Sequence, residues 1–242
     1  MRAVVVRSLV KKFGEFAALR GISFEVEEGE IFGLVGPNGA GKTTTFRIIA
    51  TLLLPTSGKV AVYGRDVVSE AHEVRKIISY LPEDAGAYRY LTGFEYLKLI
   101  AEIYFGKGRD SEEALELGIK LSGLGDRLYD KMKTYSKGMK RRVQVARALM
   151  VKPKLAILDE PTVGLDVLHA RDIRDTIKDF SKTYETTVLV SSHNMREVEE
   201  LCSRVALINR GRILVQGSIF DLLKDHGVPD LESLFIRLVK GD

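Results

Sequence analysis

Between Ile22 and Val26, apolar residues (Ile22, Phe24, Val26) alternate with polar ones. A period of two predicts a strand with one buried face. After a turn at Glu28-Gly29, residues 31–35 form a nearly continuous apolar run, the pattern of a strand covered on both sides. A glycine-rich loop follows, then a helical stretch from Thr43. "LPTSGKVAVYG" reads as a turn and a strand, and "IISYLPED" as a strand ending at Pro82. From about residue 86 to 150 the period lengthens. Thr92 and Glu95 form a capping box, and Phe94, Leu97, Ala101 and Tyr104 then fall at helical spacing. Asp110 and Glu113 predict the cap of a second helix, with Ala114, Leu117 and Leu121 on one face and Gly123 at its end. "YSKGMKRRVQVARAL" predicts another helix, opened by Ser136.

The α/β pattern then resumes. "KLAILDEP" and "TTVLVSSH" are short buried strands, each followed by an amphipathic helix, "ARDIRDTIKDFSKTY" and "MREVEELCSR". "VALINRGRILVQG" predicts a hairpin turning at Gly211. Leu231, Leu234, Phe235 and Leu238 mark a terminal helix. The pattern predicts one α/β core interrupted by a helical insertion, without internal repeats.

Composition narrows the class. The 242 residues are 45% hydrophobic and 29% charged, which fits a globular domain with a substantial core. No apolar run reaches the roughly 18 to 20 residues of a membrane helix, and charge soon breaks the valine run of "MRAVVVRSLVKKF", so no signal peptide is expected. These features predict a cytoplasmic chain. The net charge of +4 comes from interleaved basic and acidic residues, so no nucleic-acid partner is expected. Cys202 is the single cysteine, which excludes an internal disulfide.

The chemistry concentrates at strand ends. "GPNGAGKTT" comprises Gly36, Pro37, Asn38, Gly39, Ala40, Gly41, Lys42, Thr43 and Thr44, and fits G-x-x-x-x-G-K-[ST] between a buried strand and a helix. Glycines let backbone N–H groups turn toward phosphates, and the helix N-terminus adds positive potential. Lys42 supplies a charge for the β- and γ-phosphates, and the Thr43 hydroxyl suits Mg²⁺. In "LAILDEPT", Asp159 and Glu160 emerge at the carboxyl edge of a strand, where open α/β sheets bind ligands. Asp159 suits the Mg²⁺ shell, and Glu160 a general base that polarises a water attacking the γ-phosphate. No N-K-x-D guanine reader is present.

The ordered set of P-loop, "YSKGM", "LAILDEP", "GLD" and a strand-terminal His193 resembles the ATP-binding subunit of ABC transporters over essentially the whole chain. The resemblance implies a P-loop NTPase core of the RecA-like kind, with an antiparallel β subdomain and an inserted α-helical subdomain. It implies one ATPase domain spanning residues 1–242: residues 1–85 and 150–220 for the core with its β subdomain, 86–149 for the helical subdomain with the signature motif, and 221–242 for a helical tail. Phe13 takes the place of the aromatic that stacks on adenine. Glu83 stands where the Q-loop residue contacts Mg²⁺ and couples to the membrane partner. Ser136 and Gly138 belong to the signature motif, Asp166 to the D-loop, and His193 is the switch histidine at the γ-phosphate. In this family the signature binds ATP held by the opposite subunit. ATP and Mg²⁺ as cofactors, a head-to-tail homodimer, a transmembrane permease subunit and a position on the inner face of the membrane are therefore implied.

Two positions depart from the common pattern. Glu83 replaces glutamine, which adds negative charge beside the phosphates. The signature reads "YSKGM" against the common L-S-G-G-Q, so Lys137 replaces a glycine, and its cation could face solvent or a phosphate across the dimer. "YLPED", "YSKGMKRR" and "LESLFIRL" resemble the ABC-2 type exporters of drugs, antibiotics and lipids. The rival reading is a non-transport ABC ATPase of DNA repair or translation. Repair types carry a long coiled-coil insertion and translation types usually two ATPase domains, and neither feature is found in this sequence.

Overall fold

Two long strands open the chain and set its first layer. Arg2–Phe13 (β1) and Phe16–Glu27 (β2) pair antiparallel across a tight turn. β1 is not among the strands expected above. Val4, Val6 and Leu9 are buried along it while Arg7 and Ser8 are exposed, because a register shift between Val6 and Leu9 interrupts the alternation. Ser57–Val62 (β4) and Arg65–Asp66 (β5) complete an antiparallel sheet of order β2-β1-β4-β5. The structure is a computed structural model that describes residues 1–84, 86 and 88–241; the expected boundary at residue 85 lies outside that set.

The second sheet carries the strand-end motifs. Ile31–Val35 (β3), Ile78–Leu81 (β6), Leu155–Asp159 (β7), Thr187–Ser192 (β8), Arg204–Asn209 (β9) and Arg212–Ser218 (β10) run in the order β10-β9-β3-β8-β7-β6. Only the edge strand β10 is antiparallel to its neighbour. Every residue of β7 and β8 is buried, as expected of central parallel strands covered on both faces.

Helices cover this sheet and fill the insertion. Among the described residues they are Lys42–Ile49 (α1), Ala71–Arg75 (α2), Gly93–Phe105 (α3), Arg109–Ser122 (α4), Lys137–Leu149 (α5), Val167–Tyr184 (α6), Met195–Leu201 (α7), Ile219–His226 (α8) and Leu231–Lys240 (α9). One core joins the antiparallel sheet to β3 and α1 through Val6, Phe24, Phe32 and Phe46. A second packs Ile177 and Phe180 of α6, Leu201 of α7 and Leu234 of α9 against the parallel sheet. A third lies within the helical segment between β6 and β7, around Leu97, Leu128, Met132 and Val143.

The expected capping box opens α3. Thr92 Oγ1 accepts from the Glu95 N–H at 3.0 Å, and a Glu95 carboxylate oxygen accepts from the Thr92 N–H at 2.7 Å. α4 begins differently from the expectation. The Gly108 N–H donates to Ser111 Oγ at 3.2 Å, and Glu113 pairs with Arg109 at 2.8 Å, one turn along the exposed face. α8 is an element the periodicity does not reveal, since its burial rests on Leu222. No helix among the described residues is long and apolar enough to cross a membrane.

Candidate nucleotide site

The loop after β3 is shaped by close backbone approach. A methyl group at Gly36 would sit 2.0 Å from the Ile208 carbonyl oxygen of β9, so only glycine fits. Gly41, at φ 113°, leads directly into α1 and presses on Leu19 of β2. This folds residues 36–44 around the N-terminus of α1. Of these, Asn38, Gly39 and residues 41–44 line a cleft of about 370 Å³ with Phe13, Phe16, Ala18, Glu83 and Glu160.

Lys42 is 5% exposed, and its ammonium reaches back into its own loop. It donates to the Gly36 carbonyl at 2.7 Å and the Pro37 carbonyl at 3.2 Å, and lies 3.2 Å from Glu160 Oε1. Glu160 is itself 4% exposed and sits at φ 49°, a left-handed backbone that non-glycine residues seldom adopt. Its N–H donates to Ser191 Oγ at 3.0 Å, and its Oε2 meets His193 Nδ1 at 2.9 Å. Glu160 Oε1 is buried and accepts no hydrogen bond among the described residues, although the Lys42 charge faces it. A carboxylate oxygen with a free lone pair, held inside the cleft, is equipped to accept a proton from a water.

Asp159 is fully buried beside it. Ser191 Oγ donates to its Oδ1 at 2.5 Å and Tyr80 Oη to its Oδ2 at 3.4 Å. Burial first and the Asp159 charge second push the Tyr80 phenol up to about 12, so it stays protonated as a donor at neutral pH. Sequence reasoning missed Tyr80 and Ser191 as partners of Asp159. The register that sets Asp159 opposite Ser191 and pairs β6 with β7 is non-local.

Phe13 is 50% exposed at the rim of the cleft, with the Lys11 ammonium 4.9 Å from its ring centroid. It is not a core residue. Phe16, its cross-strand partner, is 63% exposed and lines the same cleft. The repeat of phenylalanine in "FGEF" is the signal that would have found it. A larger cleft of about 570 Å³, lined by Arg75, Ile78, Tyr104 and Lys154, lies at the opposite, N-terminal ends of β6 and β7, away from these motifs.

Ser136, Gly138 and Asp166 do not reach this cleft within the chain. Ser136 caps α5, its Oγ accepting from the Met139 N–H at 3.1 Å. Gly138 is packed against the His169 ring, where an added methyl would come within 2.8 Å of Cδ2. His169 Nδ1 in turn meets Asp166 Oδ2 at 2.6 Å. The His169 backbone N–H first, and its ring second, hold the Asp166 carboxyl below the usual range. Lys137 lies over Gly164 of its own chain, since a methyl there would meet its Nζ at 2.0 Å. The signature and the D-loop thus form one continuous patch, flanked by Val167 and Leu168 at 80% and 75% exposure.

Residues 19–163 match the family described as ABC transporter. The chain is 42% identical to an uncharacterized ABC transporter ATP-binding protein, YdbJ, of Bacillus subtilis over 88% of its own length and 68% of the relative's. It is 38% identical to the daunorubicin/doxorubicin resistance ATP-binding protein DrrA of Streptomyces peucetius over 93% of its length and 68% of that protein's. Its fold matches a dimeric ATP-binding cassette, MJ0796, in a post-hydrolysis state with ADP and phosphate, with a TM-score of 0.79 at 25% identity over 89% of this chain and 98% of that one.

Proposed function

The chain belongs to the ABC transporter family as an ATP-binding, ATP-hydrolysing subunit, and on that premise we propose which of its residues do the work. The observation that carries the reading is the buried contact of Lys42 with Glu160 inside the loop cleft. Lys42 opens α1 after the loop that follows β3 and Glu160 follows β7, and they meet where a γ-phosphate and its attacking water would lie. Lys42 and the N–H groups of residues 36–44 hold the phosphates. Phe13, with Phe16 beside it, supplies an aromatic surface for adenine. Glu160 takes the water's proton, and His193 orients Glu160 and faces the γ-phosphate.

Mg²⁺ fits the donors present. The Thr43 hydroxyl lines the cleft without a hydrogen bond to another described residue. Glu83 supplies a loop carboxylate in the cleft lining, and Asp159 a fixed carboxylate that is fully buried next to Glu160 and not itself part of that lining. Among the described residues no cluster of three His, Cys, Asp or Glu could hold a metal alone. Mg²⁺ is ordinarily bound by one or two protein oxygens together with substrate phosphates, so such a cluster is not required. When bound, the ion would neutralise charge on the β- and γ-phosphates.

The second half of each site comes from another copy. Ser136 and Asp166 are exposed away from their own cleft, with Gly138 buried under the His169 ring between them, so two chains in head-to-tail register would each complete the other's site. The helical segment of residues 86–149, adjoining Glu83, transmits closure to a permease subunit. A groove between Pro82, Tyr88, Tyr96, Ile100 and Arg147 lies beside Glu83 and offers that subunit a docking place. The chain then works on the cytoplasmic face of the membrane, and its likeness to a drug-resistance ATP-binding protein favours export. YdbJ is named an ABC transporter ATP-binding protein and DrrA a drug-resistance one, which favours this reading over repair or translation.

Glu160→Gln tests the assignment. It is expected to bind ATP, to lose turnover by about 10²- to 10⁴-fold, and to accumulate as a dimer with ATP in sedimentation experiments. Wild-type turnover in this variant would remove Glu160 from the base role.

A further inference from the structure

Arg141 is the fifth residue of α5, one turn beyond Ser136, and its guanidinium is 5% exposed. No carboxylate lies in ion-pair contact with it among the described residues. Backbone carbonyls surround it instead. Nε donates to Pro161 at 2.9 Å, Nη2 to Asp159 at 2.8 Å and Glu160 at 2.7 Å, and Nη1 to Pro82 and Glu83, each at 3.1 Å. Nη1 also lies 3.4 Å from Gln144 Oε1. Burying a charge is costly unless hydrogen bonds and opposite charge offset it, and here the Asp159, Glu83 and Glu160 carboxylates act on it from beyond ion-pair distance. Burial lowers this guanidinium to about 10, where it is still charged at neutral pH.

The carbonyls belong to two segments that the chain separates widely. Pro82 and Glu83 leave β6, and residues 159–161 leave β7. Glu160 holds a left-handed backbone, which has to be fixed from both sides to persist. Ser191 binds its N–H, and Arg141 binds its carbonyl together with the carbonyls before and after it. That backbone turn is what aims the Glu160 carboxylate at Lys42 and His193.

We propose that Arg141 is a positioning residue that holds Glu160 in its left-handed turn and locks that turn to the Glu83 loop, so that displacement of α5 is felt directly at the hydrolytic carboxylate. The inference rests on Glu160 being the base. Only arginine presents five N–H donors in a rigid plane, which matches carbonyls converging from two loops; lysine would keep the charge but offer three donors at one point.

Arg141→Lys and Arg141→Gln, prepared as full chains, are the test, alone and combined with Glu160→Gln. Binding of a fluorescent ATP analogue and the Tm establish which variants are folded. In a folded variant, analogue affinity is expected within about threefold of wild type while kcat falls by about ten- to a hundredfold, as small misplacements of a catalytic group do. In the Glu160→Gln background the same substitution is expected to leave the residual turnover unchanged, because its route to the reaction has already been removed. Wild-type kcat in a folded Arg141 variant would overturn the inference, and so would a further tenfold loss on top of Glu160→Gln. If Glu160→Gln alone keeps wild-type turnover, the base assignment itself fails, a result distinct from either of those.

Discussion

At the scale of single residues, this protein uses close approach more than it uses bulk. Gly138 touches the His169 ring, and His169 holds Asp166, so three positions of the proposed trans-acting patch are mechanically linked. Gly138→Ala would gain up to about 1 kcal/mol of helix propensity, but its methyl must displace the ring, an overpacking cost of about 1–3 kcal/mol. Gly138→Ala is therefore expected to lower the Tm in the wild-type background and to raise it, or leave it unchanged, when His169 is also alanine. Equal losses in both backgrounds would show that the ring is not the obstacle. Lys137 belongs to the same scale: its cation rests on Gly164 of its own chain, so the departure from the common signature first affects the D-loop.

At the scale of elements, helix entries carry much of the local specification. The α3 entry is a reciprocal box in which the Thr92 N–H first, and Lys131 second, hold the Glu95 carboxyl below its usual range. A carboxyl depressed on folding stabilises the fold above its unfolded pKa, and that contribution disappears as the pH falls through the lower folded value. Wild type is thus expected to exceed Glu95→Gln in Tm at pH 7, and the difference is expected to shrink steadily below about pH 4.5. A gap that stays constant down to pH 3 would count against the box as the source. The parallel strands are specified otherwise. β7 and β8 are buried along their whole length, so burial on both faces leaves their sequences no alternation to read.

At the scale of the whole molecule, the proposed functional surfaces are split between two places. The Lys42–Glu160 cleft is lined by residues of one chain, whereas the Ser136–Asp166 patch faces outward with Val167 and Leu168 uncovered beside it. Val167 is the first residue of α6, where an acidic side chain suits the helix dipole. Val167→Asp should leave the fold and ATP binding intact. In the Glu160→Gln background it is expected to weaken ATP-induced dimerisation by about tenfold or more, as placing an uncompensated charge at a packed interface does. Unchanged dimerisation in sedimentation would place the interface elsewhere.

How much of this was legible depends on whether the determining contacts are local. The glycine loop, the Asp159-Glu160 pair, the Ser136 and Thr92 caps and the periodicity of α3 are written in contiguous residues, because each rests on backbone geometry within one or two turns. Asn38, Gly39, residues 41–44 and Glu160 line one cleft. β1 was missed because a bulge breaks its alternation, and the α4 cap was misplaced because Ser111, one residue past Asp110, binds the Gly108 N–H at the helix start. Arg141 reads locally as one basic residue among several in "KGMKRR". Only the tertiary structure buries it beneath two strand ends, since carbonyls 58 and 20 residues away in sequence converge on it through the pairing of β6 with β7. The sequence by itself determined the phosphate chemistry and the α/β frame, through local dihedral and hydrogen-bonding preferences. The direction in which Glu160 points, the resting place of Lys137 and the separation of the two half-sites were decided by non-local packing, which no single stretch of the chain encodes.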